Sequence, residues 1–113
     1  MKSVLLLAAA LAFAGALVPD PFEQAVDKMS GPTWKNGISP RLDLPKTAST
    51  EELVAKVLAG RKYKILETRK VWIEGGGPGS DTYTAILVET GSQKQVVLLQ
   101  FDGSWWSHVV DVS

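Results

Sequence analysis

Side chains able to do acid–base or nucleophilic chemistry are few in this sequence. His108 is the only histidine and there is no cysteine. Thiolate nucleophiles, disulfides, Cys-based zinc sites and paired-histidine metal motifs are therefore excluded. Asp81, Asp102 and Asp111 fall on separate segments with turn or strand-edge explanations, and no positioned nucleophile or second base accompanies His108. Gly75-Gly76-Gly77-Pro78-Gly79 opens no helix and lacks the Lys-Ser/Thr of a phosphate loop. Lys62, Lys64, Arg69 and Lys70 form a modest basic patch interrupted by Glu67, which reads as a solvated strand face. Recognition chemistry is what remains. Trp72 lies just before the glycine run, and Trp105 and Trp106 lie just after Asp102-Gly103. Tryptophans beside adaptable loops suit a binding rim. The plainer alternative is that they cap a core and that the glycine run only connects two strands.

The whole chain fits one domain: 113 residues, with twelve Lys and Arg against twelve Asp and Glu. That neutrality argues against a nucleic-acid binder, which carries a clustered basic excess. Composition and motifs together point away from an enzyme and call for no metal and no cofactor.

Residues 1–16 read as an export signal. Lys2 supplies the positive start, and the apolar run 4–18 is shorter than the roughly 20 residues of a membrane span. Ala14-Gly15-Ala16 has the small-x-small form of a cleavage site, which places the mature start at Leu17. The expected location is secreted or periplasmic, with no membrane attachment after cleavage. The remaining chain divides into a short N-terminal helical segment, 17–32, and an α+β domain, 33–113.

Two helices and four strands are expected to position the tryptophans. Asp20-Pro21-Phe22-Glu23 is a helix start, followed by Phe22, Ala25, Val26 and Met29 at helical spacing and stopped by Gly31-Pro32. Segment 33–48 is turn-rich but carries Ile38, Leu42 and Leu44, enough to lie on a core and in part to act as an edge strand. Ser49 and Glu52 form a capping box, Leu53, Val54, Val57 and Leu58 make one apolar stripe, and Gly60 closes the helix. Alternation then replaces the helical period. Tyr63, Ile65, Val71 and Ile73 are expected on one strand face, with Glu67 and Arg69 marking an exposed or bulged middle. Strands 82–90, 93–101 and 104–112 follow, joined by two-residue loops at Gly91-Ser92 and Asp102-Gly103.

Those loop lengths fix a register. With Thr90 opposite Gln93 and Phe101 opposite Ser104, Ile86, Val97 and His108 stand side by side, as do Thr84, Leu99 and Trp106. Glu89, Lys94 and Asp111 form a charged row. One face collects Ile86, Val88, Val97, Leu99, Phe101, Trp106 and Val110. The other collects Tyr83, Ala85, Leu87, Val96, Leu98, Trp105 and Val109. Both are too apolar for a sheet with one wet face, so the second calls for cover by segment 33–48, the first helix or another molecule. Cover by 33–48 or a homodimer is the expectation.

A leading Gly37-Ile38-Ser39, the helix sequence Thr50-Glu51-Glu52-Leu53-Val54-Ala55-Lys56-Val57, the strand Tyr63-Lys64-Ile65-Leu66-Glu67 and the paired strands 83–89 and 94–101 stand in an order that resembles the cystatin family. The likeness is nearest to the disulfide-free stefin branch and covers 36–112. The family's first-hairpin signature is Gln-x-Val-x-Gly. Val71-Trp72-Ile73-Glu74-Gly75 matches its Gly, has Ile for Val and lacks the Gln. Where secreted members carry Pro-Trp in the last hairpin, this chain has Trp105-Trp106. The resemblance implies a four- to five-stranded antiparallel meander packed on one main helix, and reversible inhibition of a papain-like cysteine protease. The implied contact residues are Gly37, Trp72, Ile73, Glu74, Gly75, Gly76, Trp105 and Trp106. The competing expectation is a non-inhibitory binding module, cystatin-like or NTF2-like, that dimerises or takes an apolar ligand through its sheet face.

Overall fold

The computed structural model describes residues 20–29, 41–73 and 81–113. Asp20 starts the first helix, α1 (Pro21–Met29): its Oδ1 accepts the Phe22 amide at 2.7 Å, and its carbonyl accepts the Gln24 amide. A two-residue strand, β1 (Arg41–Leu42), precedes the second helix, α2 (Thr50–Val57). The capping box of α2 is complete. The Glu52 amide donates to Ser49 Oγ at 3.1 Å, and the Ser49 amide donates to Glu52 Oε1 at 3.2 Å. Leu58 is the C-cap, and the left-handed Gly60 lies two residues beyond it.

Four long strands follow: β2 (Lys64–Trp72), β3 (Thr82–Thr90), β4 (Gln93–Phe101) and β5 (Trp105–Val112). With β1 they form one antiparallel sheet in the order β1-β5-β4-β3-β2. The architecture is α+β. Leu42 and Arg41 extend the sheet beside β5, so part of the 33–48 segment is an edge strand.

Both faces of the central strands are dry. Residues 85–88 and 95–100 are all buried. Phe22, Ala25 and Met29 of α1 cover one face, meeting Tyr83, Ala85, Leu87, Val96, Leu98, Val110 and the end of β2 at Ile73. Leu53, Val54 and Leu58 cover the other, meeting Ile86, Val88, Val97 and Leu99, with Leu42, Leu44 and Ala48 alongside. The second face is thus closed by α1, and segment 42–48 lies on the opposite face from the one it was expected to cover. Each fully buried Leu or Val contributes about 1.5–3 kcal/mol relative to exposure.

Two details differ from the sequence expectation. The β3–β4 hairpin has the expected pairing, Thr90 opposite Gln93, with Gly91 left-handed as the first central residue of a type II′ turn requires. In the β4–β5 hairpin, however, Phe101 pairs with Trp105, not Ser104. Asp102 has no positive φ, so the two-residue Asp-Gly turn does not form. A three-residue connection with Gly103 at φ +70° takes its place. The Trp106 indole N–H closes this loop by donating to the Asp102 carbonyl at 3.2 Å. That one-residue slip inverts all of β5. Trp105 and Val109 join the α2 face, and Val110 joins the α1 face. His108 stands opposite Leu98, Ser107 takes the place beside Leu99, and Asp111 faces Gln95, not Lys94.

In β2 the middle is bulged, one of the two expected forms: the shift lies between Ile65 and Glu67, and the difference from expectation is in the faces. Tyr63 and Ile65 therefore pack toward α2, whereas Val71 and Ile73 pack toward α1, not all four on one face.

The three-residue connection places Gly103 at positive φ. An added Cβ there meets no atom within 4 Å, so substitution is opposed by backbone conformation alone. Gly103→Val should cost about 2 kcal/mol of unfolding free energy in urea, and Gly103→Asn well under half of that, since Asn tolerates the left-handed region.

Candidate functional site

Antiparallel topology sends the β2–β3 and β4–β5 connections off the same end of the sheet. Trp72 pairs with Thr82, Phe101 with Trp105, and Trp105 with Leu42. Continuing the Thr84–Leu99 register by two residues sets Thr82 level with Phe101. Trp72, Thr82, Phe101 and Trp105 therefore lie along one row, on the face that α2 occupies further along. Three strand spacings separate β2 from β5 there, about 14 Å between backbones.

The tryptophans have different environments. Trp72, at the end of β2, is 58% exposed. Trp105 is half-buried: its ring meets Phe101 edge-on at 5.3 Å, and its indole N–H donates to the Pro45 carbonyl at 2.9 Å. Trp106 is on the opposite face, with the Arg41 guanidinium 5.6 Å from its ring centroid. Ile73 is fully buried, and its amide donates to the Asp81 carbonyl at 2.7 Å, closing the base of the first hairpin. Gly37, Glu74, Gly75 and Gly76 lie outside the described residues. Of the expected contact residues, Trp72 and Trp105 share an end of the sheet, though Trp72 borders the cleft beside α1 and Trp105 the groove on the α2 face; Trp106 is turned away, and Ile73 serves packing.

The structure adds residues that sequence reasoning left aside. α2 leaves uncovered a groove of about 320 Å³ lined by Lys70, Thr82, Thr84, Leu99, Gln100, Phe101 and Trp105. Lys70 Nζ donates to Thr84 Oγ1 at 2.8 Å, and Gln100 Nε2 donates to the Thr82 carbonyl at 3.0 Å. The Lys46 ammonium is 5.6 Å from the Phe101 ring centroid. Among the described residues, no acidic side chain lines this groove. Its sequence signal is Thr82-x-Thr84 on an alternating strand with Lys70 as cross-strand partner. Reading that pairing requires the β2 bulge to be counted.

A second cleft, about 330 Å³, opens on the other face between α1 and β2, beside Phe22, Val26, Val71 and Trp72. It has the opposite charge character: Glu23 and Asp27 line it, and the one cation lining it among the described residues, Arg69, is already engaged. Arg69 lies 4.3 Å from the Phe22 ring centroid and pairs with Glu67 at 2.7 Å and Asp20 at 3.2 Å. The Phe22 amide, more than Arg69, holds the Asp20 carboxyl below its ordinary range. Among the described residues no three His, Asp or Glu side chains gather where a metal would need them.

His108 lies on the α1 face, and burial lowers its pKa below the ordinary 6.5. It is a half-buried sheet histidine opposite Leu98, and no nucleophile neighbours it in the register. Because its folded pKa is the lower one, the unfolded chain binds more protons through this window. Stability therefore falls as pH drops through the unfolded value and levels off below the folded one. The urea midpoint should be lower at about pH 5.5 than at about pH 7.5, and His108→Asn should remove most of that difference. Asp20, also lowered, contributes stability that is lost only below its ordinary 3.8, outside this window. Comparison with protein-family models, with curated proteins and with solved structures finds no match to the chain.

Proposed function

We propose that this chain is a small exported binding domain, not an enzyme, that engages a protein partner through the end of the sheet carrying Trp72. Its most concrete form is the one the cystatin resemblance suggests: a cystatin-like build and reversible inhibition of a papain-like cysteine protease. The observation that supports this reading is the exposure of Trp72 beside two hairpin connections that leave the sheet at one end. Large exposed aromatics at a loop-bearing rim are the usual anchors of protein interfaces. Trp105 is tied to Pro45 and Phe101, so it supports this end of the sheet and Trp72 supplies the free ring.

Titration of an active-site-counted papain-like protease with the mature domain tests the reading. Inhibition should be reversible and leave the domain uncleaved. Trp72→Ala should weaken it by about 2 kcal/mol, more than tenfold, without lowering the thermal midpoint. No inhibition by folded protein at high micromolar concentration would reject it.

Export forms part of the proposal, resting on Lys2, the apolar run and Ala14-Gly15-Ala16. The intact mass of protein recovered from the export compartment should correspond to a chain starting at Leu17. A mass that retains 1–16 would overturn the exported reading.

The groove favours a second reading, a module that takes a small ligand. Both sheet faces are covered by the chain's own helices, so such a ligand would enter at the open end of the α2 face, not across a bare sheet.

A further inference from the structure

We propose that the groove at the open end of the α2 face is a binding site for a small organic anion with a flat apolar body. This deepens the small-ligand reading and stands apart from protease inhibition, because the groove and the loop end can be assayed separately.

The groove divides by chemistry. Lys70 and Thr84 form its polar side, linked by the 2.8 Å bond from Nζ to Oγ1. An ammonium has three donors and this bond uses one of them. The threonine hydroxyl, having accepted from Lys70, can donate its own proton toward a ligand. Leu99, Phe101 and Trp105 form the apolar side, with the Phe101 and Trp105 rings set edge to face. Lys46 adds a second cation beside Phe101.

Charge complementarity decides the occupant. Two lysines border the groove, and among the described residues no acidic side chain lines it, so a cationic ligand meets only like charge. A neutral apolar ligand would leave Lys70 uncompensated on desolvation. An inorganic anion would leave the aromatic side against water. A carboxylate or sulfonate on one or two rings satisfies both sides, and about 320 Å³ is the lower end of the size range for small-ligand sites. The acid-lined cleft between α1 and β2 would repel such a ligand, which confines it to one face.

Fluorescence titration of the folded domain with 8-anilinonaphthalene-1-sulfonate, and with its neutral counterpart N-phenyl-1-naphthylamine, tests the site. The sulfonate should bind saturably at one per chain, with energy transfer from tryptophan, and at least fivefold tighter than the neutral dye. Lys70→Gln should weaken the sulfonate at least fivefold and leave the neutral dye unchanged. Thr84→Val, which keeps the shape, should weaken it by a smaller factor. Lys64→Gln, at the far end of β2, should leave it unchanged. Near-UV circular dichroism of each variant establishes that it is folded. The proposal is overturned if the neutral dye binds as tightly as the sulfonate, if neither groove variant alters sulfonate binding, or if Lys64→Gln weakens it as much as Lys70→Gln. Protease titration of the same variants separates the two sites: loss of dye binding with inhibition intact places the anion site away from the inhibitory end.

Discussion

The two central strands are apolar on both sides, and this constraint governs the rest of the molecule. From Ala85 to Val88 and from Val96 to Leu99 every side chain is buried, whichever way it points. Antiparallel sheets commonly leave one face in water, but these strands can do so on neither. Each face needs its own cover, and the chain supplies one short helix for each. α1 brings Phe22, Ala25 and Met29 to one side, and α2 brings Leu53, Val54 and Leu58 to the other. Helices of nine and eight residues are marginal by themselves in water, so their stability derives from the sheet they cover.

Short covers also create the candidate site. α2 packs on Ile86, Val88, Val97 and Leu99 with Trp105 alongside, and among the described residues none of α2 lines the groove between Trp105 and Lys70 at the end of the sheet. Segment 42–48 closes only the β5 side of that end, through Leu42 and Leu44 and the bond from Trp105 to Pro45. Toward β2 the floor stays open and changes from apolar to polar: Thr82, Thr84 and Lys70 stand where a longer helix would demand Val or Leu. The polar groups there pair with one another, Lys70 with Thr84 and Gln100 with the Thr82 carbonyl.

The edges of the sheet are treated differently. β1 pairs only with Trp105 and Trp106, so the rest of β5 is itself an edge, where the Lys28 ammonium donates to the Asp111 carbonyl at 2.6 Å. β2 is a nine-residue edge, but it carries Lys64, Glu67, Arg69 and Lys70 and a bulge. Charged, bulged edges resist strand addition by another chain.

The sequence by itself determined what is encoded within a few neighbouring residues. Ser49 and Glu52 define the start of α2 because each holds a backbone donor of the other's segment. Gly91-Ser92 sets the β3–β4 register because a two-residue turn admits one alignment, and the apolar residues of both strands follow from alternation. The two-sided apolar sheet, and the need to cover it twice, were legible for the same reason. Only the tertiary structure decided the orientation of β5. Trp105 and Trp106 are both aromatic and Val109 and Val110 are identical, so an apolar pattern fits either face and cannot choose between a two- and a three-residue loop. The choice came from packing: Trp105 reaches Phe101 and Pro45 in one register only, and Trp106 caps Asp102 in that same register. The β2 bulge was likewise undecided locally, since Leu66, Glu67 and Thr68 are all exposed and no buried side chain there fixes the count. The groove depends on both of these alignments. Lys70 meets Thr84, and Trp105 meets Phe101, only after β2 gains its bulge and β5 its extra loop residue.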